Sequence, residues 1–237
     1  MDLRQTSWVD LLHGIETANE SSQVVSAIES VTARIGFQHW SYGARPHRTL
    51  DYDEVRVLSN YPPGWMHHYL EEGFLSIDTS VLLAETRLTT INWAEARSAG
   101  GDRLWAEAAD RGLRVGLAHP TWDRMSMFGL LSVARESEPI TLAEFEFVAP
   151  RLAWISGLAH AKLRNLESPC FDEMISLSDR ELQILRWTAL GKTASEVASI
   201  TGVATRTVNF HIGNILVKLN ATNKIQAAVR ATVMGLL

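Results

Sequence analysis

The sequence predicts two domains of different fold class, an α/β domain followed by an all-α domain. In residues 1–165, segments with helical periodicity are interspersed with strand-like segments, which indicates an α-β-α sandwich. From residue 176 onward every apolar segment keeps helical spacing, which indicates a four-helix domain over 176–237. The charge also changes sign, because 176–237 carries seven Lys/Arg and three acidic residues, whereas the whole chain has a net charge of −5. Residues 166–175, with Pro169 and few long apolar side chains, form the predicted linker.

Helices and strands follow one another in the N-terminal domain. Helical spacing predicts helices over residues 8–15, 24–35, 65–72, 103–111 and 141–166. The predicted strands cover residues 37–44, 55–60, 113–119 and 127–134. A capping box of Thr141 and Glu144, in which the two side chains satisfy free N–H groups, starts the last helix. We expect these helices to enclose a mixed sheet of about five strands.

Two capping boxes and a glycine turn delimit the first two helices of the C-terminal domain. Ser178 with Glu181 starts the first helix, and Thr193 with Glu196 starts a short second helix. Thr201-Gly202 is the predicted turn that ends this second helix. A short helix, a tight turn and a longer helix make up the arrangement that places the longer helix in a DNA groove about 12 Å wide.

The longer third helix has one apolar and one polar face. Thr205 is expected to cap it. Its apolar face consists of Val208, Ile212, Ile215, Leu216 and Leu219. The opposite face bears hydrogen-bonding groups and no carboxylate, namely Arg206, Thr207, Asn209, His211, Asn214 and Lys218, together with Gly213. Gly213 costs about 1 kcal/mol in mid-helix relative to alanine, and close approach to DNA or to a neighbouring helix would account for it. A plain helical bundle with a solvated polar face remains an alternative.

The motifs of this domain resemble the helix-turn-helix signature of the LuxR family. They are Leu177-Ser-Asp-Arg-Glu181, Gly191-Lys-Thr193, Glu196-Val-Ala198, Thr207-Val208, His211, Asn214, Lys218-Leu219 and Lys224. The resemblance implies that the third helix reads double-stranded DNA and that the last helix, from about residue 222, pairs two copies on a dyad-symmetric site. The candidate DNA-binding residues are Lys192, Thr193, Thr205, Arg206, Thr207, Asn209, Phe210, His211, Asn214, Lys218 and Lys224.

The N-terminal domain is rich in aromatic residues, since seven of the eight tryptophans precede the linker. The pattern Tyr61-Pro-Pro-Gly-Trp65-Met-His-His-Tyr69, followed by Asp78, Asn92-Trp93 and Gly116, resembles the autoinducer-binding domain of LuxR-type quorum-sensing receptors. Residues 41–45 and 127–132 fit the same domain. Thr79 departs from the family, which usually has proline after the aspartate, and we expect a looser turn there with the carboxylate unaltered.

An N-acyl-homoserine lactone offers one amide N–H donor, carbonyl acceptors and an apolar chain. A receptor therefore needs one strong acceptor, several donors and an apolar slot. Asp78 is the predicted acceptor for the amide N–H, and Trp65 the predicted donor to the lactone carbonyl. Tyr61, with Ser132 or Ser41, would hold the acyl carbonyl. Of the remaining predicted ligand-binding residues, Trp93 and Trp105 would pack on the lactone ring and Tyr69 along the chain.

Other interpretations of these residues stay open at this point. An aspartate between apolar residues is often only a helix N-cap, which would be a sufficient role for Asp78. Tryptophans are usually core residues, and we expect this for Trp8, Trp40 and Trp154. No histidine pair has metal-ligand spacing, no phosphate-binding loop is present, and Cys170 lies alone in the linker. We expect no catalytic residue, metal or cofactor.

The sequence thus predicts a ligand-responsive transcription regulator that forms a homodimer. No signal peptide or membrane-spanning segment is evident, so we expect a cytoplasmic protein without a membrane partner. Two alternatives remain. The chain could act as an interaction protein that forms inactive heterodimers with a related regulator, or its pocket could take a small molecule other than a lactone.

Overall fold

The computed structural model describes residues 8–46, 55–123, 127–167, 177–233 and 235–237. These residues form two compact units, one that ends at Glu167 and one that begins at residue 177. Most of the predicted linker, with Cys170, lies outside the described residues. Among the described residues, no helix combines the length and apolar character needed to cross a membrane.

The N-terminal unit contains seven α-helices and five strands in its described residues. The helices are α1 (Trp8–Glu16), α2 (Ser21–Arg34), α3 (Trp65–Glu71), α4 (Thr79–Ala84), α5 (Trp93–Ala99), α6 (Asp102–Asp110) and α7 (Leu142–Glu167). The strands are β1 (His39–Pro46), β2 (Arg56–Ser59), β3 (Ile91–Asn92), β4 (Val115–Trp122) and β5 (Met127–Arg135). A single 3₁₀ turn, Phe74–Ser76, lies between α3 and α4.

The strands form one sheet in the order β2-β1-β5-β4-β3. Every neighbouring pair is antiparallel, so the expectation of a mixed sheet is wrong. Residues 47–55 join β1 to β2, and residues 123–126 join β4 to β5. Parallel neighbours need a crossover of a dozen or more residues, and these connections are too short for one.

Each face of the sheet is covered by helices and has its own apolar core, which confirms the α-β-α sandwich. Helices α1, α2 and α7 pack on one face around the buried Trp40, and helices α3 to α6 pack on the other around Trp65 and Phe74. Trp154 is 56% exposed, so its assignment to the core is wrong. The buried face of α7 passes through Leu152 and Ile155, and Trp154 therefore projects from the opposite side.

In its described residues, the C-terminal unit contains four helices around a third apolar core. They are α8 (Asp179–Ala189), α9 (Ala194–Thr201), α10 (Thr205–Lys218) and α11 (Lys224–Val233). Both predicted capping boxes are present, and Gly202 ends α9 in the left-handed conformation with φ of 68°. Helix α10 begins one residue earlier than expected. Ala204 is its N-cap residue and makes no side-chain cap, so Thr205 is the first helical residue rather than the cap.

Candidate ligand-binding site and DNA interface

A cavity of about 100 Å³ lies between the sheet and helices α3 to α6. All the residues predicted to bind ligand line it, namely Ser41, Tyr61, Trp65, Tyr69, Asp78, Trp93, Trp105 and Ser132. They come from both strands and helices. Ser41 on β1 and Ser132 on β5, for example, are register partners in the sheet. The fold therefore brings together side chains that are far apart in the sequence, although their roles toward a ligand remain predictions.

Asp78 caps helix α4 and also lines the cavity. Its Oδ1 accepts hydrogen bonds from the Ser80 N–H at 2.8 Å, the Ser80 hydroxyl at 2.6 Å and the Val81 N–H at 3.4 Å. Its Oδ2 accepts one from the Tyr69 hydroxyl at 2.8 Å. A carboxylate oxygen has two lone pairs, so Oδ2 keeps capacity for one more donor. Asp78 is thus both the N-cap of α4 and part of the cavity wall.

Burial dominates the electrostatics around this carboxylate. It raises the pKa of Asp78, while the hydrogen bonds from Ser80, Tyr69 and Val81 oppose that shift. Burial, and then the Asp78 charge, raise the pKa of Tyr69 well above its usual value. Burial and the Asp78 charge also raise the pKa of Tyr61 well above its usual value, and the Ser132 hydroxyl opposes this shift. Both phenols therefore keep their protons and remain hydrogen-bond donors at neutral pH.

Several buried donors at the cavity have no hydrogen-bond partner among the described residues, and they include the Tyr61 hydroxyl and the Trp93 indole N–H. The Ser132 hydroxyl is close enough to Tyr61 to act on its pKa, but the two hydroxyls do not have the geometry of a hydrogen bond. Buried polar groups are rarely left unpaired in proteins, because each unmade bond costs about 1–3 kcal/mol. Gly116 is needed for the Trp93 placement, since a Cβ there would lie 2.6 Å from the indole ring.

Trp105 is held in place by hydrogen bonds of its own. Its indole N–H donates to the Gly100 carbonyl at 3.0 Å and to the Thr79 hydroxyl oxygen at 3.2 Å, and its ring packs against Trp93 with centroids 5.3 Å apart. The Thr79 hydroxyl in turn donates to the Ala96 carbonyl at 2.7 Å. The looser turn expected at Thr79 is not seen, because its hydroxyl ties the start of α4 to α5.

Two polar residues that line the cavity, Ser80 and Arg45, were not predicted from the sequence. Ser80 stands two residues after Asp78, and this Asp-x-Ser spacing is the signal that could have found it. Arg45 stands four residues after Ser41 on β1, and the period of two along a strand places both side chains on one face. Arg45 forms an ion pair with Glu85, and its guanidinium carbon lies 5.9 Å from the Phe128 ring centroid.

Within the described residues, no group of three or more His, Cys, Asp or Glu side chains could hold a metal ion. The polar groups of the cavity are instead single donors and acceptors. Asp78 supplies the only carboxylate that lines the cavity among the described residues. The arrangement suits an uncharged ligand that has both a donor and acceptors.

Helix α10 presents a polar surface to solvent. The exposed side chains are those of Thr205, Arg206, Thr207, Asn209, Phe210 and Lys218, and those of His211 and Asn214 are half-buried. A Cβ on Gly213 would meet no atom within 4 Å, so packing against a neighbouring helix of this unit does not account for the glycine. Close approach to DNA stays a prediction for this position.

Several predicted DNA-binding residues also have partners within the unit. The Lys218 ammonium lies 2.7 Å from Oε2 of Glu181, the buried carboxylate of the α8 capping box. Although burial works to raise it, Lys218 and Ser178 hold the pKa of Glu181 below its usual value. The Lys192 ammonium lies 3.6 Å from Glu196 of the α9 capping box. These lysines thus combine a structural contact with a partly exposed side chain.

Comparisons with known proteins agree with this division of the chain. Residues 20–163 match the family model of the autoinducer binding domain. Residues 175–231 match the model described as bacterial regulatory proteins, luxR family. The chain is a LuxR-family transcription regulator.

Relatives of this LuxR-family regulator match it along almost its entire length. The transcriptional activator SolR of Ralstonia nicotianae is 38% identical over 230 residues, which cover 96% of this chain and 98% of SolR. The quorum-sensing regulator RhlR of Pseudomonas aeruginosa is 32% identical over 231 residues, covering 97% of this chain and 96% of RhlR. Another relative, ThaA of Burkholderia thailandensis, is named as a transcriptional repressor.

Solved structures show the same two-domain architecture. A crystal structure of Escherichia coli SdiA superimposes with a TM-score of 0.81 at 28% identity, covering 97% of each chain. SdiA in complex with octanoyl-rac-glycerol gives a TM-score of 0.83 at 28% identity, covering 97% of this chain and 94% of that one. The LuxR-family regulator therefore joins a ligand-binding domain of the autoinducer type to a helix-turn-helix DNA-binding domain, as the sequence predicted.

Proposed function

We propose that this regulator binds an N-acyl-homoserine lactone in the N-terminal cavity and then binds a dyad-symmetric DNA site as a homodimer. One observation carries the proposal: a buried carboxylate, Asp78, keeps an open acceptor position beside two buried donors without partners, on Tyr61 and Trp93. This set of one acceptor and two donors is complementary to the lactone head group. A ligand that fills all three positions removes the cost of burying them unpaired.

The amide N–H and the two carbonyls of the lactone each match a side chain of the right kind in the cavity wall. The amide N–H donates to Oδ2 of Asp78, and the acyl carbonyl accepts from the Tyr61 hydroxyl. The lactone carbonyl accepts from an indole N–H, for which Trp93 joins the predicted Trp65, because the Trp93 N–H is buried without a partner. The apolar chain then runs along the remaining, mostly apolar, cavity wall.

Apolar surface on two helices supports the homodimer. On α11, Ile225 is 71% exposed and Val229 is 56% exposed, and their spacing of four residues places them on one face. On α7, the exposed Phe147 and Trp154 are seven residues apart, which again is one helical face. We propose that a second copy covers such faces, and that the two α10 helices of the bound dimer lie one turn of DNA apart, about 34 Å.

The proposed DNA contacts are those predicted from the sequence, namely Lys192, Thr193, Thr205, Arg206, Thr207, Asn209, Phe210, His211, Asn214, Lys218 and Lys224.

We propose that the protein has no enzymatic activity of its own and works in the cytoplasm, where it has access to the chromosome. The named relatives are transcription regulators, which supports a binding function rather than a catalytic one. Hydrolysis of the lactone by the purified protein would contradict this part of the proposal.

The substitution Asp78→Asn tests the ligand site, because asparagine also caps helices and so spares the start of α4. We expect the affinity for an acyl-homoserine lactone to fall at least about tenfold, since a hydrogen bond to a charged group is lost. Ligand-induced thermal shift and isothermal titration measure this. Asp102→Asn, at an exposed position in the first turn of α6, is the matched control and should bind as the wild type does. Equal affinity in the wild type and Asp78→Asn would refute the assignment.

A second ligand class is favoured by one comparison. The structural neighbour SdiA is solved with octanoyl-rac-glycerol, a monoacylglycerol. Its hydroxyl groups would donate to Asp78, and its ester carbonyl would accept from Tyr61. Including this compound in the same titrations decides between the classes. A gel-shift assay with the purified homodimer decides between direct DNA binding and the alternative of inactive heterodimers.

A further inference from the structure

The cavity follows β1 and β5 along the sheet, and its polarity changes along these strands. The register pairs that line it are Ser41 with Ser132, Gly43 with Leu130 and Arg45 with Phe128. The first pair supplies two hydroxyls, the second is apolar, and the third contains a guanidinium. Strands rise about 3.3 Å per residue, so the four residues from Ser41 to Arg45 span about 13 Å.

Helix α4 also lines the cavity and covers a similar, slightly shorter length. Asp78 is its N-cap residue and Glu85 is its C-cap residue. Seven residues, about two helical turns, separate these carboxylates, so they share one side of the helix about 10 Å apart. One carboxylate belongs to the proposed head-group position. The other forms the ion pair with Arg45.

The Arg45–Glu85 pair is largely shielded from solvent, with side chains 15% and 24% exposed. Arg45 lines the cavity, whereas Glu85 does not line it and contacts the Arg45 guanidinium as its ion-pair partner. Displacing the guanidinium would leave a mostly buried charge without its partner, which is strongly unfavourable. This pair is therefore a fixed feature of the wall, in contrast to the apolar side chains of Val57 and Leu130.

We propose that the Arg45–Glu85 ion pair is the tail stop of the cavity and sets the longest acyl chain that the protein accepts. The inference rests on the proposed function, since it takes the head group to lie at Asp78. Strand β1 and helix α4 hold the head-group carboxylate and the tail stop at a fixed separation. A chain that ends before Arg45 gains affinity with each added methylene, about fourfold per buried group. A longer chain meets the ion pair and loses that gain.

The experiment compares the wild type with the double variant R45A/E85Q, which removes the stop without leaving an unpaired glutamate. Purified full-length proteins are titrated with saturated N-acyl-homoserine lactones from four to fourteen carbons. In the wild type we expect affinity to rise with chain length and then to fall. In R45A/E85Q the optimum moves to longer chains, and the lactone two methylenes beyond the wild-type optimum binds about tenfold more tightly than to the wild type.

Arg87→Ala is the matched control. Arg87 also forms an ion pair with a glutamate, Glu95, but does not line the cavity, so its loss should leave the optimum where it is in the wild type. If R45A/E85Q is insoluble, R45M/E85Q gives the same comparison with less lost volume and again without an unpaired glutamate, and its optimum should also move to longer chains.

Three results would overturn the inference, and they are distinguishable. An unchanged chain-length optimum in the Arg45 variants means that Arg45 is not the stop. Tighter binding of chains that end in a carboxylate, lost in R45A/E85Q, means that Arg45 recognises a polar tail instead of excluding it. Binding of no lactone of any length to the wild type means that the proposed function itself is wrong.

Discussion

At the scale of single residues, the two oxygens of Asp78 have different partners. Oδ1 is occupied by three donors from Ser80 and Val81, so it serves the helix. Oδ2 accepts from Tyr69 and faces the cavity, so it serves the proposed ligand. A helix cap is normally well solvated, and this one is buried. The cavity thus contains a carboxylate that is already oriented before any ligand arrives.

The Thr79 hydroxyl, next to Asp78, accepts a hydrogen bond from Trp105, and substitution of Thr79 tests this contact. Thr79→Val removes the hydroxyl that bonds the Ala96 carbonyl and accepts from the Trp105 indole. We expect a loss of about 1–3 kcal/mol in the free energy of unfolding, because buried polar groups lose partners. Urea denaturation of the purified protein measures it. Thr86→Val, at an exposed hydroxyl that bonds the Leu83 carbonyl, is the control and should change stability by less than about 0.5 kcal/mol. Equal losses in both variants would contradict the role of Thr79.

At the scale of elements, the long and strongly periodic segments are predictable from the sequence. Helices α2, α7 and α10 lie where apolar spacing places them, and the capping boxes at Ser178 and Thr193 mark real helix starts. Periodicity is a reliable guide there because each helix buries one face along its entire length.

Short elements were not predictable in the same way. Helices α4 and α5 have six and seven residues and begin at the capping side chains of Asp78 and Asn92. Strand β3 has two residues, too few for any alternation. Their positions depend on tertiary contacts. The antiparallel sheet and the exposure of Trp154 were missed for the same reason, since both depend on which elements become neighbours.

The candidate site shows a similar division. The head-group residues were found through their resemblance to a known domain, and the structure gathers them around one cavity. Arg45 shares a strand face with the predicted Ser41, but no local pattern indicates that Glu85 of α4 pairs with it. Pairing between distant segments carries information that a linear pattern does not contain.

Helix α10 offers a prediction that separates a DNA contact from a structural contact. Arg206→Ala should weaken binding equally at all DNA sequences, reduce the salt dependence of the affinity by about one phosphate contact, and leave stability within about 0.5 kcal/mol of the wild type. Arg206 is exposed in the first turn of the helix, where a phosphate is favoured. Fluorescence anisotropy over a series of salt concentrations measures the first two effects.

Lys218→Met is its counterpart, because Lys218 neutralises the buried Glu181. We expect both weaker DNA binding and a loss of about 1 kcal/mol in the stability of the C-terminal unit, a modest value since the lysine is partly exposed. Chemical denaturation followed by circular dichroism gives the stability. A Lys218→Met protein with wild-type stability would show that the ion pair to Glu181 contributes nothing.

At the scale of the whole molecule, the chain has two compact units with separate cores. A ligand in the N-terminal cavity stabilises the unit that holds it by linkage, about 2.7 kcal/mol at a free concentration one hundred times Kd. We therefore expect a thermal melt with two transitions. The lactone should raise mainly the midpoint temperature of the N-terminal transition. Tryptophan fluorescence follows that transition, since seven of eight tryptophans precede the linker.

The Asp78→Asn protein is the control for this melt, because its N-terminal transition should no longer respond to the lactone. Equal upward shifts of both transitions in the wild type would contradict the expectation. That result would show that the two units unfold as one cooperative body. Ligand binding would then stabilise both units together rather than mainly the N-terminal unit.

The geometry of α4 also limits how such a receptor can change its preference during evolution. An α-helix turns about 100° per residue, so inserting or deleting one residue between Asp78 and Glu85 would rotate one carboxylate away from its partner. Either the head-group acceptor or the anchor of Arg45 would be lost. New chain-length preferences are therefore reached through exchanges of side chains along the wall, while the number of residues in this helix stays constant.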